Sequence, residues 1–77
     1  MHMPEFKYEI VKTLGVVSQP NNGWIKELNL ISWNNREPVY DLRTWDEAHE
    51  RMGKGITLTE EDLKNLKDLL NGLDEIK

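Results

Sequence analysis

The sequence predicts an α+β fold, a curved four-stranded antiparallel sheet followed by one C-terminal helix (β-β-β-β-α). Three observations lead there. Runs rich in β-branched and aromatic residues alternate with period two. Segments carrying Asn, Pro and Gly separate them. Leucines then recur at helical spacing behind a capped start near the C-terminus.

In the first run, "EFKYEIVKTLGVVS", the residues Phe6, Tyr8, Ile10, Leu14 and Val16 share one parity, so a long strand is expected. "QPNNG" supplies turn chemistry, because Pro fixes φ while Asn and Gly tolerate positive φ. "WIKELNLISW" is the second strand, with mixed faces. Trp24, Leu28 and Leu30 fall on one side; Ile25, Ile31 and Trp33 fall on the other with Glu27 and Asn29. A bulge within this strand would explain the mixture.

"NNREP" forms the next turn and Pro38 opens a third strand, "VYDLRTW". "DEAHERMGKG" is polar and ends in glycines, so it reads as a loop before a short fourth strand, "ITL". Thr59 is a suitable N-cap, and Glu60, Glu61 and Asp62 complement the helix dipole. Leu63, Leu66, Leu70 and Leu73 form the apolar stripe, widened by Leu69 and Ile76, over a helix of about 18 residues. Such a helix covers one sheet face. The other face must meet water, a second subunit or a ligand, and the generous stripe leaves room for a second copy of the chain.

Residues 1–77 read as a single domain without repeat or linker. A chain this short buries roughly 60% of its unfolded surface, and self-association is one way to complete such a core. There is no cysteine to form a disulfide or a thiolate metal site. No apolar run approaches the ~18 residues of a membrane span, and the N-terminus does not resemble a signal peptide. A cytoplasmic protein with no membrane partner is the expectation. The net charge of −4 argues against an ordinary basic nucleic-acid binder. The acidity is concentrated, however: residues 58–77 carry three Lys against six acids, whereas residues 1–57 carry seven basic residues against eight acids. A nearly neutral surface still permits binding driven by stacking.

Trp45 and Arg43 are the residues that folding accounts for least. Their strand already has an apolar side in Tyr40 and Leu42, so the indole and guanidinium are expected on the opposite, uncovered face. Trp33, ending the preceding strand, would lie nearby; Trp24 is expected to be buried. Unpaired bases stack on aromatic rings with roughly 1–3 kcal/mol each and little sequence preference. Arg43 can stack or bind phosphate through its fork. Asn29 could bond a base edge, and Lys54 lies between glycines that would let a phosphate approach. Arg51 is in the same loop, and Lys26 could track the backbone. A Trp–Arg pair that only stabilises the surface accounts for the same residues.

The run "DEAH", Asp46 to His49, is no helicase signature here, since the chain lacks a phosphate-binding loop. Asp46, His49 and Glu50 make a poor metal site, with one histidine on an exposed segment. No activated nucleophile or carboxylate pair emerges, so neither enzyme nor cofactor is expected.

"ELNLISWNNREPVYDLRTW" and "MGKGITLTEEDLKNL" together resemble the bacterial YdbC-type proteins, relatives of the eukaryotic transcriptional coactivator positive cofactor four. "YDLRTW" is similar to the family's D-[IL]-R-x-W strand, and "GKGITLT" to its lead into the helix. The resemblance runs from about Phe6 through the helix. It implies a β-β-β-β-α fold, a homodimer and binding of single-stranded nucleic acid without strong sequence preference. By that resemblance Arg43, Trp45 and Lys54 match binding positions, and Trp33 falls near an aromatic one. Arg51 matches as a basic residue before "GKG", and Lys26 as a backbone contact. Glu27, Glu37 and Asp41 make this surface less basic than is usual in the family.

The expectation is therefore a homodimeric single-stranded DNA-binding protein that supports transcription, replication or repair. A protein-interaction module of the transcription machinery and an RNA-binding protein are the alternatives.

Overall fold

In a computed structural model, residues 7–18 and 22–76 are described. Strands β1 (Tyr8–Val16), β2 (Trp24–Trp33), β3 (Val39–Asp46) and β4 (Met52–Leu58) precede helix α1 (Glu60–Asn71). The strands form one antiparallel sheet in the order β1-β2-β3-β4. The expected strand start at Phe6 and turn residues Gln19, Pro20 and Asn21 lie outside the described residues. The rest of that turn has Asn22 and Gly23 at positive φ. Between β2 and β3, Asn34 and Asn35 are also at positive φ, and the Arg36 N–H donates to the Trp33 carbonyl at 2.9 Å. Asn tolerates this conformation better than most side chains, which is why it recurs at both turns.

The expected bulge in β2 is absent. Its pairing with β3 is unbroken from Trp24 opposite Asp46 to Ile31 opposite Val39. The mixed pattern of β2 is therefore real: Glu27, Asn29 and Ile31 are buried on one face, and Trp24, Leu28 and Leu30 are half-buried on the other. The irregularities are in β1, between Ile10 and Lys12 and between Thr13 and Gly15. They interrupt the single parity expected there: Ile10 shares a face with Ile31, whereas Lys12 shares the opposite face with Leu30.

The fourth strand is longer than "ITL" because the glycines of "GKG" belong to it. A Cβ at position 55 would collide with Arg43 Cβ and the Leu42 carbonyl, and one at position 53 with Thr44 Oγ1. Glycine here marks a close strand approach, with a register shift between Arg43 and Trp45. The helix is shorter than expected, at 12 residues. Thr59 caps it, its hydroxyl accepting from the Asp62 N–H while the Asp62 carboxylate accepts from the Thr59 N–H. Gly72 ends it, donating to the Asp68 and Leu69 carbonyls, so Leu73 and Ile76 fall beyond the helix. No helix among the described residues is long and apolar enough to cross a membrane.

The two faces of the sheet are packed differently. On the helix face, Leu28, Leu42, Leu58, Leu63, Leu66 and Leu70 line an apolar groove of about 370 Å³. The helix touches only β3 and β4, none of its residues is buried, and Leu69 is 61% exposed. The opposite face carries the most buried side chains: Ile31, Trp45, Asn29 and Asp41, each with no accessible surface, and Glu27.

The close contact of β3 and β4 makes Gly55→Ala costly, by about 1–3 kcal/mol for an overpacked site. Gly72→Ala, where a Cβ meets only ordinary contacts, is the control. Urea denaturation of both variants should separate them clearly; equal stabilities would contradict this account of β4.

Candidate nucleic-acid interface

Strand geometry puts Asp41 and Arg43 on the same face of β3, two residues apart. The Arg43 fork closes on the buried Asp41 carboxylate: Nε donates to Oδ1 at 2.8 Å and Nη2 to Oδ2 at 2.9 Å. Nη1 donates to the Gly53 carbonyl at 3.3 Å. Held in this way, the Arg43 side chain keeps only 15% of its surface exposed. Its Cζ lies 5.1 Å from the centre of the Trp33 ring, a cation–π arrangement.

An aromatic row continues from there. Tyr8 of β1 lies 5.9 Å from Trp33 and 5.5 Å from Trp45, and Trp45 lies 5.5 Å from His49, each pair tilted. The Tyr8 hydroxyl donates to the His49 carbonyl at 3.0 Å. His49 Nε2 lies 3.0 Å from both oxygens of the buried Glu27 carboxylate, and Asn29 Nδ2 donates to Glu27 Oε1 at 3.2 Å. The buried Asp41 carboxylate thus has a cationic partner, as burial of a charge requires, and the buried Glu27 carboxylate faces an imidazole nitrogen and an amide.

The loop after β3 is organised by Asp46. Its Oδ1 accepts from the Glu50 and Arg51 N–H groups, both at 2.8 Å. These bonds hold its carboxyl pKa below the ordinary value of 3.8. The Arg51 N–H is the largest cause, desolvation opposes it, and the Glu50 N–H and the Arg51 charge add to it.

The expected site residues are not on one open surface. Trp45 was expected to be uncovered, but it is sealed between Tyr8 and His49 with no accessible surface. The alternation of β3 gave its face correctly; the cover comes from β1 and the loop, which a single strand's pattern cannot reveal. Trp33 and Trp45 are linked through Tyr8. Asn29 is fully buried, with its amide engaged by Glu27. Lys26 is exposed but pairs with Thr44, on the face opposite Arg43. Arg51 is exposed, its Cζ 5.6 Å from the ring of Trp24, which is half-buried where burial was expected. Lys54 is exposed in the irregular part of β4. Its flanking glycines lie where a Cβ would collide with β3, which accounts for them without a phosphate.

Tyr8, Glu27 and His49 were not among the expected site residues. Glu27 did leave a signal, being a charged residue on the same side of β2 as Ile25 and Ile31. Nothing local announced His49.

The class defined so far is a small β-β-β-β-α module with a row of aromatic and paired charged side chains on the face away from its helix. Residues 21–69, more than half of the chain, match the transcriptional coactivator p15 (PC4) family. The chain is also 45% identical over 69 residues to an uncharacterized protein of Treponema pallidum (strain Nichols), covering 90% of this chain and 81% of that one. The protein belongs to the transcriptional coactivator p15 (PC4) family.

Because the Asp46 pKa is depressed in the folded state, its ionised form stabilises the fold above the unfolded value, and that stability is lost as pH falls through the lower folded value. Asp46→Asn should therefore be less stable than the parent at neutral pH. The gap should close in acid, beginning below about 3.8. Urea denaturation across that range tests this, and a gap independent of pH would refute it.

Proposed function

We propose that the aromatic face binds single-stranded nucleic acid, DNA first, without strong sequence preference. The observation that carries this reading is the Arg43 guanidinium, fixed by a buried carboxylate against the half-buried Trp33 ring. Trp33 is the stacking platform, Arg43 and Lys54 meet phosphates, and Trp45 joins the platform as described below. Membership of a transcriptional coactivator family supports the reading. It also favours a role in transcription, by binding and not by catalysis.

Asp41 offsets most of the Arg43 charge, so stacking supplies much of the affinity. The salt dependence is accordingly shallow, since log K falls by only about 0.7 per decade of salt for each neutralised phosphate on single strands. Titration with oligo-dT should quench tryptophan fluorescence. Trp33→Ala should weaken binding by about 5- to 150-fold, the equivalent of one base stack. Unchanged affinity in a folded Trp33→Ala protein would overturn the reading, and competition with a matched RNA oligonucleotide decides which sugar is preferred.

We also propose that the protein is a homodimer. The apolar groove beside α1, with Leu69, Leu70 and Ile56 exposed around it, supports this. Light scattering should give the mass of two chains at micromolar concentration; the mass of one would rule the dimer out.

A further inference from the structure

The concealment of Trp45 is local. No helix or second sheet layer lies over it among the described residues, and α1 is on the other side of β3. Among the described residues, two aromatic side chains lie against it, Tyr8 from an edge strand and His49 from the loop between β3 and β4. The loop itself is exposed at Glu47, Ala48, Glu50 and Arg51, and the His49 side chain is 36% exposed. The imidazole lies 5.5 Å from the indole at an interplanar angle of 33°, approximating the tilt and spacing of an aromatic stack.

His49 is held there by contacts from three directions. Its Nε2 meets Glu27, its carbonyl accepts from the Tyr8 hydroxyl, and its N–H donates to the Asp46 carbonyl at 3.0 Å. Its backbone is at φ 60°, a region uncommon for residues other than glycine, which persists when surrounding contacts impose it. A second observation points to a missing partner. Trp45 Nε1 is buried without a hydrogen-bond partner among the described residues, a condition native proteins seldom tolerate without a reason.

We propose that His49 is a gate on Trp45. Its imidazole occupies the seat of one nucleobase, and a single strand bound to this face displaces it. Trp45 then stacks on a base, and its Nε1–H donates to an oxygen of the strand. Only an unpaired base can enter this seat. The gate rests on the reading of this face as a nucleic-acid surface and adds a residue that the reading does not itself require.

The test follows His49 in the unaltered protein. The chain has two histidines, so the His49 ring protons are readily assigned by NMR. In the free protein the Trp45 ring current should shift them upfield. At saturation with oligo-dT they should move to the positions of a solvated histidine. His49→Gly suits the positive φ and removes the competitor, so it should bind oligo-dT about two- to tenfold more tightly, the range of one aromatic contact. Tyr8→Phe, which removes only the latch hydroxyl, should act in the same direction. His49 resonances that stay upfield at saturation, or no gain in affinity in the folded His49→Gly protein, would overturn the gate while leaving the binding face intact. If His49→Gly does not fold, the NMR titration of the parent protein decides alone. Failure of the parent to bind oligo-dT at all is a different result and removes the proposed function itself.

Discussion

A carboxylate without accessible surface, Asp41, lies in the middle of β3, and much of this structure is arranged around it. Burying such a group alone is strongly unfavourable, and the cost is offset when a well-oriented cation satisfies its lone pairs. Arg43 does so through two parallel hydrogen bonds, the geometry in which a guanidinium is most selective. With two of its nitrogens committed, the side chain has little rotational freedom left. Its remaining edge reaches the Gly53 carbonyl and ties β4 to β3, while its plane approaches Trp33. Gly55, pressed against the Arg43 Cβ and the Leu42 carbonyl, is the backbone counterpart of the same constraint.

The arrangement changes what a small sheet protein is expected to bury. The side chains with no accessible surface lie on the face without a helix, and they include an Asn and an Asp as well as Trp45 and Ile31. That face seals itself laterally, through Tyr8, Trp33, Trp45 and His49 in a row and through the Asp41–Arg43 ion pair and the Glu27–His49 contact. The helix face is apolar yet incompletely covered, because a helix of 12 residues reaches only β3 and β4. The two faces therefore differ in character: one is a preorganised aromatic and charged surface, the other an apolar groove. Preorganisation would favour the proposed binding, since a guanidinium already locked over an indole loses little entropy on meeting a base or phosphate.

If Trp45 binds a base as proposed, function and folding compete for one residue. A tryptophan stabilises a small core more than almost any other side chain, and it is also the best stacking surface available to a nucleobase. A chain of 77 residues cannot spare many such rings for solvent. On the proposed reading, a removable cover reconciles the two uses: the indole would contribute to the fold when the site is empty and become available when a ligand replaces the cover.

The order of strands and helix, the capped start at Thr59, the Asn-rich turns and the face on which each residue of β3 lies were all legible in the sequence. Each depends on local chemistry: alternation along a strand, side chains that cap a helix, residues that tolerate positive φ. Arg43 was expected beside Trp45 of its own strand, whereas the ring its guanidinium meets is Trp33 of β2. What the sequence could not determine were the contacts that cross between elements. Tyr8 reaches Trp45 only because β1 pairs with β2, and the two irregularities that set β1's faces leave no periodic trace. His49 meets Glu27, 22 positions away, only through the path of the loop. The glycines around Lys54 looked like a loop because the pressure that selects them comes from a neighbouring strand. Burial depends on what lies above a side chain in three dimensions, and for Trp45 that was decided by the tertiary structure alone.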